Sequence, residues 1–257
     1  MMDRYRVLGP IYDSLCTLYS GSLINRCRES AVPRVKSGES VLFVGVGRGS
    51  DAVAACLRGA NVVVVDASRT MLASFERKLR ELSLSTCCEV RCMDVADVEK
   101  LGRFDWVFAN FFLNVFSETQ MRQVVTTLMN CTREEGRIVV GDFCRPSGSF
   151  LRRVAMEAHW LLALLPFALL CKNAIHRVYD YRAELHAVGL EVKCVRRFYR
   201  LRVPLYESIE AAHAGETSVS VAPDPQRSSS DRRTALSIPR RHRESPRPCA
   251  AKNRGNR

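Results

Sequence analysis

Apolar and polar positions alternate between two periods along the first two thirds of the chain. Val41 to Val44 form a short unbroken apolar run, the pattern of a strand buried on both faces, and Asn61 to Val65 repeat it. Between them Asp51 to Arg58 carry a helix. Ser68 to Leu82 place Met71, Leu72, Phe75 and Leu79 at helical spacing, behind a serine suited to cap the helix. Cys87 to Cys92, Phe104 to Phe108 and Gly136 to Phe143 predict a third, fourth and fifth strand, with a helix over Glu118 to Cys131. This order predicts an α/β fold, a doubly wound, Rossmann-like and mostly parallel sheet. Leu190 to Arg197 and Tyr199 to Tyr206 follow as two strands with no helix between them. They predict an antiparallel closing hairpin and bring the sheet to seven strands.

The turn after the first strand carries the chemistry. Gly45, Gly47 and Gly49 stand where the chain must reverse from strand to helix, and glycine there permits positive φ and close approach of a ligand to bare backbone. Asp66 ends the second strand, a position from which a carboxylate accepts hydrogen bonds from a ribose. The spacing is G-x-G-x-G, which departs from the dinucleotide fingerprint G-x-G-x-x-G and disfavours a nicotinamide-dependent oxidoreductase.

These residues resemble motif I of the class I S-adenosylmethionine-dependent methyltransferases. The resemblance implies S-adenosylmethionine as cofactor, with Gly45, Gly47 and Gly49 under its methionine part and Asp66 on its ribose. Ala67 and Met71 follow that acid. Asp94, just after the third strand, matches the acid that meets the adenine, and Val95 follows it. Asn110 ends the fourth strand, where the resembled family brings acceptor and methyl group together; it is assigned both to the cofactor site and to catalysis. Asparagine after a strand is also an ordinary turn former. Asn110-Phe-Phe-Leu lacks the prolines and tyrosine of the Asn-Pro-Pro-Tyr sequence of some amino-methylating relatives. Phe43 stands where many members carry an acid, and Asp51 is the nearest compensating carboxylate or helix cap.

Two segments fall outside this core. Tyr5 to Cys27, with Tyr12-Asp13 and Tyr19, resembles the leader of the ubiquinone and menaquinone biosynthesis C-methyltransferase group, the methyltransferase type 11 family, and the resemblance runs to about His213. It implies a small, hydrophobic or quinone-like acceptor. Phe150 to Cys171 is apolar on nearly every face, but Arg152, Arg153, Glu157 and Pro166 interrupt it before the roughly 20 apolar residues a membrane span needs. It reads as a lipophilic lid or membrane-surface helix, or else as a buried core helix or dimer contact. Between the fifth strand and the hairpin lie His159, His176, His186 and the Tyr179-Asp180-Tyr181 cluster. Of these, His176 and Tyr179 are the catalytic candidates. Methyl transfer from a sulfonium depends first on placement, and a base matters only where the acceptor must lose a proton.

Composition narrows the remaining options. The chain has 257 residues, 47% of them hydrophobic, enough for one sizeable core. We expect N-terminal cap helices over residues 1–35, the methyltransferase core over 36–213 and a disordered basic tail over 214–257. That tail is rich in Ser, Pro and Arg and has ten Lys and Arg against four Asp and Glu, half of the net +12. It lacks the aromatics that stack on single-stranded bases, so a specific nucleic-acid partner is not expected. Eleven scattered cysteines and no zinc-site spacing point to a reducing cytoplasm and no metal. The N-terminus has no export signal, and contact with the inner face of a membrane stays open. The sequence leaves the oligomeric state unassigned. A non-catalytic S-adenosylmethionine-binding protein of the same fold remains the alternative.

Overall fold

The computed structural model describes residues 22–171 and 176–215, without the side chains of 164–171. The strands are β1 (Ser40–Val44), β2 (Asn61–Asp66), β3 (Cys88–Cys92), β4 (Phe104–Asn110), β5 (Thr132–Phe143), β6 (Leu190–Arg200) and β7 (Val203–His213). The helices are α1 (Leu23–Glu29), α2 (Ser50–Leu57), α3 (Arg69–Glu81), α4 (Glu118–Asn130), α5 (Phe150–Cys171) and α6 (Tyr181–Ala187). The Tyr12-Asp13 leader and the basic tail from residue 216 onward lie outside the described residues.

All seven strands form one sheet in the order β3-β2-β1-β4-β5-β7-β6. The first five run parallel; β7 lies antiparallel to β5, with β6 outside it. Alternation along each strand sorts side chains to two faces. Val41 and Phe43 of β1, Val62 and Val64 of β2 and Phe108 of β4 pack with α2 and α3. Leu42, Val44, Val65, Val107 and Ala109 pack on the other face with α4 and α6. Phe43, at the position of the missing acid, is buried and stacks on Phe108 at 4.6 Å between centroids. Ser68 caps α3 as its sequence position predicts, accepting from the Met71 amide at 3.2 Å.

Two boundaries differ from the sequence reading. β5 starts at Thr132 rather than Gly136, with a register shift between Phe104 and Trp106 on its partner. The closing hairpin turns at Leu201 and Arg202, which take φ of 48° and 68°, rather than near Phe198. Tight hairpins demand positive φ, and this turn meets the demand without the Gly or Asn that would have marked it.

Candidate functional site

Chain direction from β1 goes one way to β2 and β3, and from β4 the other way to β5. The carboxyl ends of these two neighbouring strands therefore open a crevice at the point where the strand order reverses. The β1 turn forms one wall. Gly45, Gly47 and Gly49 all have positive φ, at 75°, 47° and 64°. A Cβ on Gly47 would stand 2.1 Å from the Arg28 guanidinium, and one on Gly49 2.3 Å from the buried Phe75 ring.

Asp66 ties this turn to β2. Its Oδ2 accepts from the Val46 amide at 2.8 Å and its Oδ1 from the Ser68 amide at 2.8 Å. The carboxylate is half-buried, so it shapes the glycine turn as well as facing the crevice. Ala67 is exposed beside it, and Met71 is buried in the core below. Asp94 at the end of β3 is exposed and accepts from the Ala96 amide at 3.0 Å, and the Val95 side chain is buried.

The opposite wall is built by Asn110. Buried at the end of β4, it donates from Nδ2 to Asp51 Oδ2 at 2.8 Å and to the Arg28 carbonyl at 3.2 Å. Its Oδ1 is buried without a hydrogen-bond partner. Asp51, in the first turn of α2, is 4% exposed, and Arg28 of α1 is 2% exposed with its guanidinium 5.8 Å from the Phe111 ring centroid. A guanidinium and a carboxylate thus converge beside the glycine turn, and the Asn110 amide that joins them turns its carbonyl over Gly141 of β5. The charged pair is the complement of an α-amino acid, with its carboxylate on the cation and its ammonium on the acid.

Next to Asn110, Phe111 is held at φ 53°, a conformation that costs a non-glycine residue about 1–2 kcal/mol. Its ring meets Phe143 and Tyr206 edge-on at 5.9 and 5.4 Å. Aromatic contacts continue from Phe143 to Trp160 of α5, from Trp160 to His176 and from His176 to Tyr179, which stack at 4.1 Å. Tyr206 lies against His159, whose Nε2 is 2.8 Å from the Tyr206 hydroxyl.

The two acid-base candidates are both engaged. His176 places Nε2 2.9 Å from the Asn114 carbonyl and Nδ1 2.6 Å from the Arg177 carbonyl. Tyr179 donates to the Phe116 carbonyl at 2.9 Å, and burial pushes its phenol up to about 12. Both residues line a cleft of about 480 Å³ with Ser117, Glu118, Arg145 and Asp180. Behind it Asp142, buried at the end of β5, accepts from Asn114 Nδ2 and from the Tyr181 hydroxyl, each at 2.8 Å. Burial raises its carboxyl to about 6.

Sequence reasoning missed Arg28, Phe111 and Asp142. An acid inside the apolar run of β5 was a signal for Asp142. Nothing distinguishes Arg28 from Arg26 in the sequence, because only the docking of α1 decides which of the two is buried.

A sequence-family model described as a methyltransferase domain matches residues 41–136, from the first residues of β1 into β5. This segment contains the glycine turn, Asp66, Asp94 and Asn110. Over this segment the chain is similar to a methyltransferase domain. No curated protein matches the sequence. Among solved structures, the chain is similar to a 1,6-didemethyltoxoflavin N1-methyltransferase of Burkholderia thailandensis, solved with 1,6-didemethyltoxoflavin and S-adenosylhomocysteine bound. Identity is 14%, the TM-score 0.60, and the match covers 81% of this chain and 85% of that one. The magnesium protoporphyrin IX methyltransferase of Synechocystis PCC 6803, solved with S-adenosylmethionine bound, matches at 16% identity and TM-score 0.58, covering 83% and 99%. The [4+2]-cyclase SpnF matches at 13% identity and TM-score 0.56, covering 74% and 81%. At these identities the likeness establishes the fold.

Proposed function

We propose that the protein transfers a methyl group from S-adenosylmethionine to a small acceptor that presents a hydrophobic, planar face. The observation that carries this reading is the convergence of Arg28, Asp51 and the Asn110 amide beside the positive-φ glycine turn at the switch point. The residues fit the cofactor: Arg28 holds the carboxylate and Asp51 with Asn110 the ammonium of its methionine part. Gly45, Gly47 and Gly49 leave the backbone bare beneath it, and Asp66 and Asp94 bind ribose and adenine, beside Ala67, Met71 and Val95. When bound, S-adenosylmethionine supplies an electrophilic methyl on a sulfonium with a good leaving group.

What the chain itself adds is placement. Half-buried Phe111 and His176 are the accessible edge of the aromatic wall that Phe143, Tyr206 and Trp160 back from the core, and an acceptor stacked on that edge lies next to the methyl position. His176 and Tyr179 line the acceptor side. His176 takes a proton from an acceptor only after one of its two carbonyl contacts opens, so the reading favours an acceptor that needs no strong base. A quinone precursor fits the wall, as do other flat, unsaturated metabolites. The toxoflavin and porphyrin enzymes above act on flat ring systems of this kind.

The engagement of His176 and Tyr179 favours one second reading, a protein that binds S-adenosylmethionine without turning it over. Calorimetric titration with S-adenosylmethionine, S-adenosylhomocysteine and NADH, followed by a labelled-methyl screen of lipid extracts, separates the two. Binding of the first two ligands and label in an extract product supports methyl transfer, and binding without label in any extract supports the second reading. Binding of NADH alone overturns both. Arg28→Met weakens S-adenosylhomocysteine roughly tenfold or more and leaves 5′-methylthioadenosine, which lacks the amino-acid end, unchanged.

A further inference from the structure

The outer face of α5 is built the wrong way round for a helix on a globular protein. Phe150, Leu151, Val154, Leu161 and Leu162 are all exposed, at 45% to 79%. At 3.6 residues per turn they fall within one arc of about 120°, with exposed Ala158 among them and Glu157 just past its edge. The opposite face, with Met156, Trp160 and Ala163, is buried on Phe143, Leu205 and Tyr206. A second exposed apolar residue lies close by. Leu201, at the tip of the β6–β7 hairpin, is 93% exposed between Arg200 and Arg202. The hairpin runs beside α5, and the Arg200 guanidinium contributes, after burial, to holding the His159 imidazole below its ordinary pKa.

The first charge beyond the apolar face is Arg152 on one side and Glu157, with Arg153 behind it, on the other. Arg152 lies on the hairpin side near Cys144, Arg153 lies on the other, and Glu157 is the one acid between Phe150 and Ala163. No described helix is long and apolar enough to cross a membrane. An apolar face flanked by Arg152 and Arg153 against a single acid, Glu157, and a hairpin tip of Arg-Leu-Arg together suit a surface that is apolar within and anionic at its boundary. We infer that α5 and the Arg200–Arg202 tip form an interfacial docking surface for an anionic lipid bilayer. A second copy of the chain is the weaker occupant. A two-fold contact through this face and the Arg200–Arg202 tip would bring together molecules that each carry a net charge of +12.

This inference stands whether or not methyl transfer occurs, although it brings a bilayer to the helix that carries Trp160 of the aromatic wall. The test uses the full chain and vesicles of phosphatidylcholine with and without a quarter phosphatidylglycerol, sedimented in about 0.1 M salt. The basic tail contributes equally to wild type and variants, so the comparison isolates the helix and the tip. Wild type sediments with the anionic vesicles; Leu151→Glu/Leu162→Glu and Leu201→Glu each lose roughly tenfold in partitioning, with unchanged circular dichroism and melting temperature. Equal partitioning of wild type and folded variants overturns the inference and assigns the attraction to the tail. A variant that turns a dimer into a monomer in sedimentation velocity, with vesicle binding unmoved, overturns it in favour of a second copy. Should the double variant melt early, Leu201→Glu, at a 93% exposed tip, decides alone.

Discussion

The side-chain amide of Asn110 donates to the carboxylate of Asp51 across 2.8 Å, and both groups are buried. The bond joins the end of β4 to the first turn of α2 and so sets the width of the crevice between them. Removing Asp51 leaves a buried amide proton without its acceptor. Asp51→Ala is expected to destabilise the fold by about 1–3 kcal/mol in urea unfolding and to weaken S-adenosylhomocysteine binding by calorimetry. A variant with wild-type affinity would remove Asp51 from the ammonium site.

The three glycines of the turn should divide into two classes. At Gly47 a methyl group meets the end of a flexible arginine, whereas at Gly49 it meets the Phe75 ring inside the core. Gly47→Ala is expected to cost about 1–2 kcal/mol of stability from its positive φ, with a loss of roughly tenfold or more in ligand affinity. Gly49→Ala adds overpacking to the same backbone cost and should lose about 2–4 kcal/mol. Thermal melting and calorimetry on the two variants distinguish these outcomes; equal melting temperatures would contradict the assignment.

Asp66 receives two backbone amides, so its replacement has a structural cost even without ligand. Asp66→Ala is expected to lose about 1–3 kcal/mol of stability together with ligand affinity, whereas Asp94→Ala, exposed and accepting only the Ala96 amide, should lose affinity at a smaller cost in stability. Parallel melts and titrations of both variants check the contrast. An unchanged melting temperature for Asp66→Ala would show that Val46 and Ser68 find other partners.

Asp142 gives stability a specific pH dependence. Its carboxyl has an ordinary value of 3.8 and a folded value of about 6, so the native state holds the proton more tightly than the unfolded chain. The group's contribution is fullest below about pH 4 and is lost as pH rises through 6, up to about 3 kcal/mol. Asp142→Asn cannot titrate. The wild-type stability relative to this variant should therefore fall between pH 4.5 and pH 7, measured by urea unfolding. A constant difference across that range would place the Asp142 pKa near the ordinary carboxylate value.

Elements whose stability is local were legible in the sequence. The apolar runs of β1 and β2, the heptad-like spacing of Met71, Leu72, Phe75 and Leu79, and the Ser68 cap each follow from neighbours a few residues away. The parallel order and the antiparallel end followed from the presence or absence of helices between strands. What escaped depends on long-range packing. The burial of Arg28 is set by docking of α1 on the glycine turn, and the Asp142 network joins three segments through Asn114 and Tyr181. The hairpin turn at Leu201 was hidden because residues without turn preference occupy positive φ. Gly45, Gly47, Gly49, Asp66 and Asn110, named from the motif, do lie around one crevice. His176 and Tyr179 stack on each other but spend their polar atoms on carbonyls.

The aromatic wall differs from the glycine turn in how the chain supplies it. The turn is one continuous stretch, whereas Phe111, Phe143, Trp160, His176 and Tyr206 come from five separate segments. A single substitution in the turn acts on backbone geometry and therefore on everything the turn holds. A single substitution in the wall exchanges one facet and leaves the others standing. Under the proposed function, acceptor preference can therefore drift one ring at a time while the cofactor side stays fixed.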